Sequence, residues 1–224
     1  MTVKIRWIEV QIPGFTRIWV LTLSVQIPHP TAQLLIETVV NLLDQKSVDY
    51  ITSEEVLQLS GISRGSMYHH FHDFEDLVDT ALVKRFSSYI AETNAGFIAL
   101  SLTVRNVKDL RAALKRMTHA VHVPERAQYR FERIRIFGRA SEHPNLRAKL
   151  AAEQDLLTDT MEHHVSQWQE RGFLVKEFSA RSIAVAIQAI VIGRVVDEIA
   201  DKHVDRDDWL ALMDRIIDTF FAEV

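Results

Sequence analysis

Cysteine is absent from this 224-residue chain, which excludes disulfides, thiolate nucleophiles and thiolate zinc sites and accords with a reducing cytoplasm. Any metal would have to be held by histidines or carboxylates. Glycine and proline are scarce, at 7 and 5 residues, so little punctuates the chain and strands have little room. No apolar run approaches the roughly 20 residues of a membrane span. The run Ile183 to Gly193 is far shorter and contains Gln188, so no transmembrane helix is expected. Also missing are a phosphate-binding glycine-rich loop, a serine-centred elbow and a paired-carboxylate motif. The sequence therefore gives no positive ground for an enzyme, and no cofactor is expected.

What is present is ample material for a core, with 47% hydrophobic and 25% charged residues. Apolar residues recur at three- and four-residue intervals over long stretches, which predicts an all-α protein. The exception is Met1 to Pro28, where WIEVQIPGFTRIWVLTLSVQIP is rich in β-branched and aromatic residues and reads as an extended or irregular appendage. Lys4, Arg6 and Arg17 precede an apolar run there, but Glu9 sits among them and no small-x-small cleavage site follows, so export is disfavoured. A natural start downstream of this segment is the other reading of it, and both stay open.

The most informative stretch is ITSEEVLQLSGISRGSMYHHFHDFEDL, Ile51 to Leu77. Thr52 followed by Glu55 matches a capping box, and Ile51 lies where it can staple onto Val56, so a helix should begin at Ser53. Gly61 supplies a left-handed stop, Ile62 can tuck beneath it, and Ser63 can cap a second helix beginning Arg64, Gly65, Ser66. Asp73 caps a third, with Asp76 at its N3 position and Phe74, Leu77, Val78 and Ala81 on one buried face. The middle helix is left with less than two turns. A helix, a tight turn and a short second helix form a helix-turn-helix, whose second helix enters the major groove by its N-terminal end. The shortness fits a probe. Met67 and Phe71 are expected in the core, while Tyr68, His69 and His70 sit where they can reach phosphates. Pro30 and Thr31 open an earlier helix whose Leu35, Val39, Leu42 and Leu43 would cover the motif.

These residues resemble the DNA-binding signature of the TetR/AcrR family of transcription regulators over about residues 31 to 85. The resemblance is carried by Thr52, by Gly61-Ile62-Ser63 and by the block Tyr68-His69-His70-Phe71. It implies a three-helix DNA-binding head followed by a helical ligand-binding and dimerisation body. It further implies that Thr52, Tyr68 and His69 meet phosphates and that Arg64, Gly65 and Ser66 lie against base edges. The expected interface is then Thr52, Ser63, Arg64, Gly65, Ser66, Tyr68, His69 and His70. The domain reading is an N-terminal extension over 1-30, the helix-turn-helix domain over 31-88, and the body over 89-224.

Two features depart from the family pattern. Phe74 stands where the family usually places a phosphate-binding lysine. Residues 1 to 90 carry seven Lys or Arg against ten Asp or Glu, an acidic balance that predicts weak nonspecific binding, since phosphate neutralisation supplies most of that affinity. His69, His70 and His72 would add charge below about pH 6.5.

In the body, Gly96, Pro124, Pro144 and Gly172 are expected to break the helical region into segments, and Asp205 to cap a last helix near Arg206. Arg105 to Arg139 carries ten basic residues against three acidic ones. This reads as a solvated face pairing with Glu153, Asp155, Asp159 and Glu162, in preference to an anion site. His119 with His122, and His163 with His164, could suggest a metal, but no third clustered ligand supports it and none is expected. Phe131, Phe137, Met161 and Trp168 are candidates for an apolar ligand pocket. Ile183, Ile187, Ile190 and Val191 on one helix, and Trp209, Met213, Ile216 and Phe220 on another, form wide apolar faces. By resemblance these would meet their copies in a four-helix homodimer interface.

The expectation is a cytoplasmic, dimeric, ligand-responsive regulator. It would most readily be a repressor that binds a double-stranded pseudopalindromic operator and is released by a small-molecule effector. A helical sensor that has lost DNA binding is the alternative.

Overall fold

A computed structural model describes residues 4–10, 18–24 and 29–221. At the N-terminus, β1 (Lys4–Val10) pairs antiparallel with β2 (Ile18–Ser24), in register from Lys4 opposite Ser24 to Val10 opposite Ile18. This agrees with the extended reading of the segment; its remaining residues, 1–3, 11–17 and 25–28, lie outside those described. Among the described residues, all regular structure from Pro30 onward is helical. By contacts the chain divides into two units, 1–85 and 86–224.

In the first unit, α1 (Pro30–Leu43) starts with proline at N1, where its missing N–H costs no bond, and is capped by the His29 ring. Its buried stripe, Ala32, Leu35, Ile36, Val39 and Leu42, packs on α2 (Ser53–Ser60) and α3 (Arg64–His70). Ile51 and Val56 are both buried, as a staple across the α2 cap requires. Met67 and Phe71 root α3 in the same core. The next helix, α4 (Phe74–Thr103), adds Leu77, Val78, Ala81 and Leu82. Its start is held by Asp73, whose Oδ1 accepts from the Asp76 N–H at 2.7 Å, while the Asp76 carboxylate returns to the His72 N–H at 3.1 Å.

The second unit holds the rest of α4, then α5 (Val107–Val121), α6 (Ala127–Glu142), α7 (Pro144–Glu170), α8 (Ala180–Gly193), the short α9 (Val195–Glu198) and α10 (Arg206–Asp218). Helix α7 packs against α6 and α8, α10 packs on α5, and α6 also touches α8 and α9. Pro144 opens α7 at N1, and Gly172, at φ 72°, ends it by letting the Phe173 N–H return to the Trp168 carbonyl at 2.8 Å. Asp205 caps α10 by accepting from the Asp208 N–H at 2.9 Å. Gln188, buried in α8, bonds Thr158 Oγ1 and accepts from Gln154 Nε2 on α7, so its amide is spent within the bundle. Among the described residues no helix is long and apolar enough to cross a membrane.

Gly96 does not break a helix. Helix α4 runs through it for 30 residues, because a single glycine weakens a helix by only about 1 kcal/mol and the buried Ile90, Phe97 and Leu100 hold the turns on either side. The break falls at Asn106, whose side chain accepts from the Asp109 N–H at 2.9 Å while Asp109 returns to the Arg105 N–H at 3.2 Å.

Candidate nucleic-acid interface

The helix-turn-helix is built by three local devices. Thr52 Oγ1 accepts from the Glu55 N–H at 3.3 Å and starts α2. The capping box is only half closed, because the Glu55 carboxylate is taken by Lys46 Nζ at 2.5 Å. An ammonium in reach outcompetes a backbone N–H for a carboxylate. Gly61, at φ 68°, ends α2 in the left-handed region that a Cβ disfavours. Ser63 Oγ then accepts from the Ser66 N–H at 3.2 Å and starts α3, which at seven residues is just under two turns.

This arrangement places all eight expected interface residues on α3 and on the N-caps of α2 and α3. Thr52, Ser63, Arg64, Gly65, Tyr68 and His69 are exposed, and Ser66 and His70 are half-buried. Nothing lies within 4 Å of where a Cβ on Gly65 would sit, so this end of α3 is open. Tyr68 keeps 50% of its surface although its neighbour Met67 is fully buried, which puts the phenol on the outer face of the helix.

The electrostatics differ from the simple expectation. Arg64 Nη2 sits 2.6 Å from Glu54 Oε1. Bonds from its own backbone N–H, and then from Arg64, hold the Glu54 carboxyl below the usual carboxylate range. Lys84 meets Glu37 and Arg85 meets Asp44. With Lys46 on Glu55, all four Lys and Arg residues between 29 and 85 have a carboxylate partner.

The histidines do not act as one group. His70 stacks on His29 with ring centroids 4.8 Å apart and meets His69 edge-on at 5.1 Å. Desolvation, then the neighbouring rings of His29 and His69, push His70 below the ordinary histidine value. His72 is pulled the other way by its 2.8 Å bond to Asp73. On acidification His72 thus charges early but against its own carboxylate, and His70 charges late.

In the second unit the basic stretch is not one solvated face: Arg105, Lys108, Arg116 and Arg135 are exposed, but other members are buried or paired. Arg130 and Arg133 are buried, Arg126 pairs with Glu92, and Lys115 and Arg111 reach Asp218. Three of the acids expected to serve that stretch, Asp155, Asp159 and Glu162, surround Arg181 instead. The fourth, Glu153, is buried, and burial raises its carboxyl above the usual range against a bond from Ser87. Residues on α7 face α8 here because those helices are neighbours, which spacing along the chain does not reveal. His119 turns to Asp214 at 2.9 Å and His122 to the Thr118 carbonyl at 2.8 Å, so the two do not converge on a point.

Phe137, half-buried, meets Phe86 edge-on at 5.6 Å, and Trp168, fully buried, stacks with His164 at 6.0 Å. Met161 is buried and Phe131 half-buried. Of the interface candidates, Ile183 and Met213 are only 2% and 3% exposed within their own chain, so they have little left to offer a partner. Ile187, Ile190, Val191, Trp209, Ile216 and Phe220 keep partial exposure, beside the exposed Val185 and Leu212.

No family model matches this chain, and neither does any curated protein. Solved structures do. One is a TetR-family transcriptional regulator from Mesorhizobium loti, with 16% identity and a TM-score of 0.63, covering 85% of this chain and 94% of that one. Another is Escherichia coli NemR in its reduced form, with 15% identity and a TM-score of 0.61, covering 86% and 98%. A third is a transcriptional regulator from Saccharomonospora viridis in complex with choline, with 14% identity and a TM-score of 0.61, covering 86% and 98%. The helix-turn-helix head followed by a helical body is thus the fold of the TetR-family transcriptional regulators.

Proposed function

We propose that the protein is a ligand-responsive DNA-binding transcriptional regulator acting in the cytoplasm as a homodimer. The observation that carries this reading is α3: a two-turn helix rooted by Met67, capped by Ser63, and presenting Arg64, Gly65 and Ser66 at an open N-terminal end. Such an end suits base edges in a major groove, with Thr52, Tyr68, His69 and His70 placed for phosphates. Two heads would read half-sites roughly 34 to 36 Å apart. The exposed and half-exposed apolar residues of α8 and α10 support a self-association surface that would set that spacing. A small molecule in the body that prefers one of two head spacings would release the operator, making the protein a repressor. The choline bound by the Saccharomonospora protein supports the view that such a body takes a small ligand.

DNA binding here means exchanging Glu54 for nucleic acid at Arg64. An exposed ion pair is worth at most about 1 kcal/mol, so the exchange is feasible for a specific guanine and unrewarding on random sequence. The second reading, a sensor that no longer binds DNA, is favoured by the same pairing of every head cation and by Phe74 at the start of α4.

Fluorescence anisotropy against the chain's own upstream DNA and a scrambled duplex, over a salt series, separates the two readings. A regulator should bind the first duplex preferentially, with a shallow salt dependence, and Arg64→Ala should cost about 1 to 3 kcal/mol there. If neither duplex is preferred and a genome-wide selection of bound fragments recovers no palindrome, the sensor reading replaces it.

A further inference from the structure

The second unit contains a guanidinium that the protein itself does not finish pairing. Arg133 on α6 is only 4% exposed. Its Cζ lies 4.2 Å from the centroid of the Tyr89 ring, 5.6 Å from that of Phe86 and 5.7 Å from that of Phe137. The Tyr89 side chain also accepts a hydrogen bond from it. Among the described residues nothing accepts from Nε or Nη2. Those two N–H groups lie on one edge of the guanidinium and form the fork that a carboxylate grips with both oxygens.

The same helix shows what fills such an edge. One turn earlier, Arg130 presents Nε and Nη2 to the carboxylate of Glu198, with Nε 3.0 Å from both oxygens, while Nη1 donates to the Val121 carbonyl at 2.5 Å. Arg133 has the ring cage but no carboxylate. Other polar atoms on the neighbouring helices α4 and α7 are likewise buried with no partner among the described residues: Asn94 Oδ1, Glu153 Oε2 and His164 Nδ1. A buried guanidinium edge left unmatched beside aromatic rings is the kind of polar group that a guest, rather than a closed core, satisfies.

We propose that Arg133 is the anion-recognition residue of the body and that its ligand is a monocarboxylate carried on an apolar, preferably aromatic, frame. One guanidinium fork matches one carboxylate, and Phe86, Tyr89 and Phe137 supply a flat apolar lining for the group that bears it. The inference rests on the ligand-responsive reading above and adds to it the chemical class of the effector.

The test compares benzoate, 1-naphthoate and octanoate with benzamide, 1-naphthamide and octanamide, by calorimetry and thermal shift on the full chain. At least one acid should bind tenfold or more tightly than its amide, and Arg133→Met should erase that preference while the far-ultraviolet circular dichroism stays the same. Arg133→Lys, which keeps the charge but not the fork, should retain less than a third of it and serves if the methionine variant does not fold. No acid preferred over its amide by more than threefold in the folded wild-type protein, or a preference that survives in Arg133→Met, overturns the proposal. Operator binding is measured on the same preparations. Its failure with acid binding intact counts against the regulator reading alone, and its success without acid preference counts against this inference alone.

Discussion

Two arginines one turn apart on α6 have opposite fates. Arg130 and Arg133 are 3% and 4% exposed, so both have left water. Arg130 is closed by Glu198 and by the carbonyls of Val121 and Val123. Arg133 is faced by three aromatic rings, and burial lowers its pKa from the ordinary arginine value. The first is a structural cross-link between α6, the turn before it and α9. The second holds a charge that has ring contacts and a Tyr89 bond but one guanidinium edge without a partner among the described residues. A buried ion pair and a buried lone ion therefore predict different responses to the same substitution.

The largest effect is expected at Arg130. Replacing it with methionine leaves Glu198, 13% exposed at its side chain, and two carbonyls without their donor. Breaking a buried pair from one side costs about 3 to 5 kcal/mol, read as a fall in the urea midpoint at unchanged slope. Adding Glu198→Leu should restore a large part of that, because the uncompensated charge goes with it. If Arg130→Met costs under about 1 kcal/mol, the pair is solvated and the comparison collapses.

His164 extends the comparison to a group that can discard its charge. Burial, and then the neighbouring His163, depress it from 6.5 to about 4, and its ring lies between Phe97 and Trp168. The unfolded chain therefore takes up this proton first. Stability contributed by the neutral ring is fully present above about pH 6.5 and is lost as pH falls towards 4, by up to about 3 kcal/mol at 1.36 kcal/mol per unit. Denaturation curves at pH 7, 5.5 and 4.5 should show His164→Phe losing less stability on acidification than wild type. Parallel losses would mean that the imidazole is hydrated in the folded state.

How much of this could be read from the sequence depends on distance along the chain. Thr52, Ser63, Asp73 and Asp205 act on N–H groups three residues away, so the helix starts of the head and the last helix were legible, and with them the placement of α3. Arg130 and Glu198 are 68 positions apart, and Arg181 draws acids from α7 across a helix-helix contact. Such pairings depend on which helices become neighbours. The basic count from Arg105 to Arg139 therefore reads as one solvated face, although its members divide into exposed side chains, surface pairs, a buried cross-link and a caged cation. The residue type alone makes Phe137 a pocket candidate; that it flanks Arg133 depends on the packing of α6.

The smallest expected effect is the most diagnostic. Arg133→Met at pH 7 in ligand-free buffer should change stability by less than about 1 kcal/mol, in direct comparison with Arg130→Met on the same helix. The cation–π contacts it loses are worth about 2 kcal/mol when desolvated, but removing them also removes the cost of holding an incompletely paired cation out of water, and a methionine fills a similar volume among Phe86, Tyr89 and Phe137. The two contributions have opposite signs and similar size, whereas at Arg130 no such cancellation exists because Glu198 stays behind. A loss of 3 kcal/mol or more at Arg133 would show that it has a protein partner in solution, and the two arginines would then be cross-links of the same kind.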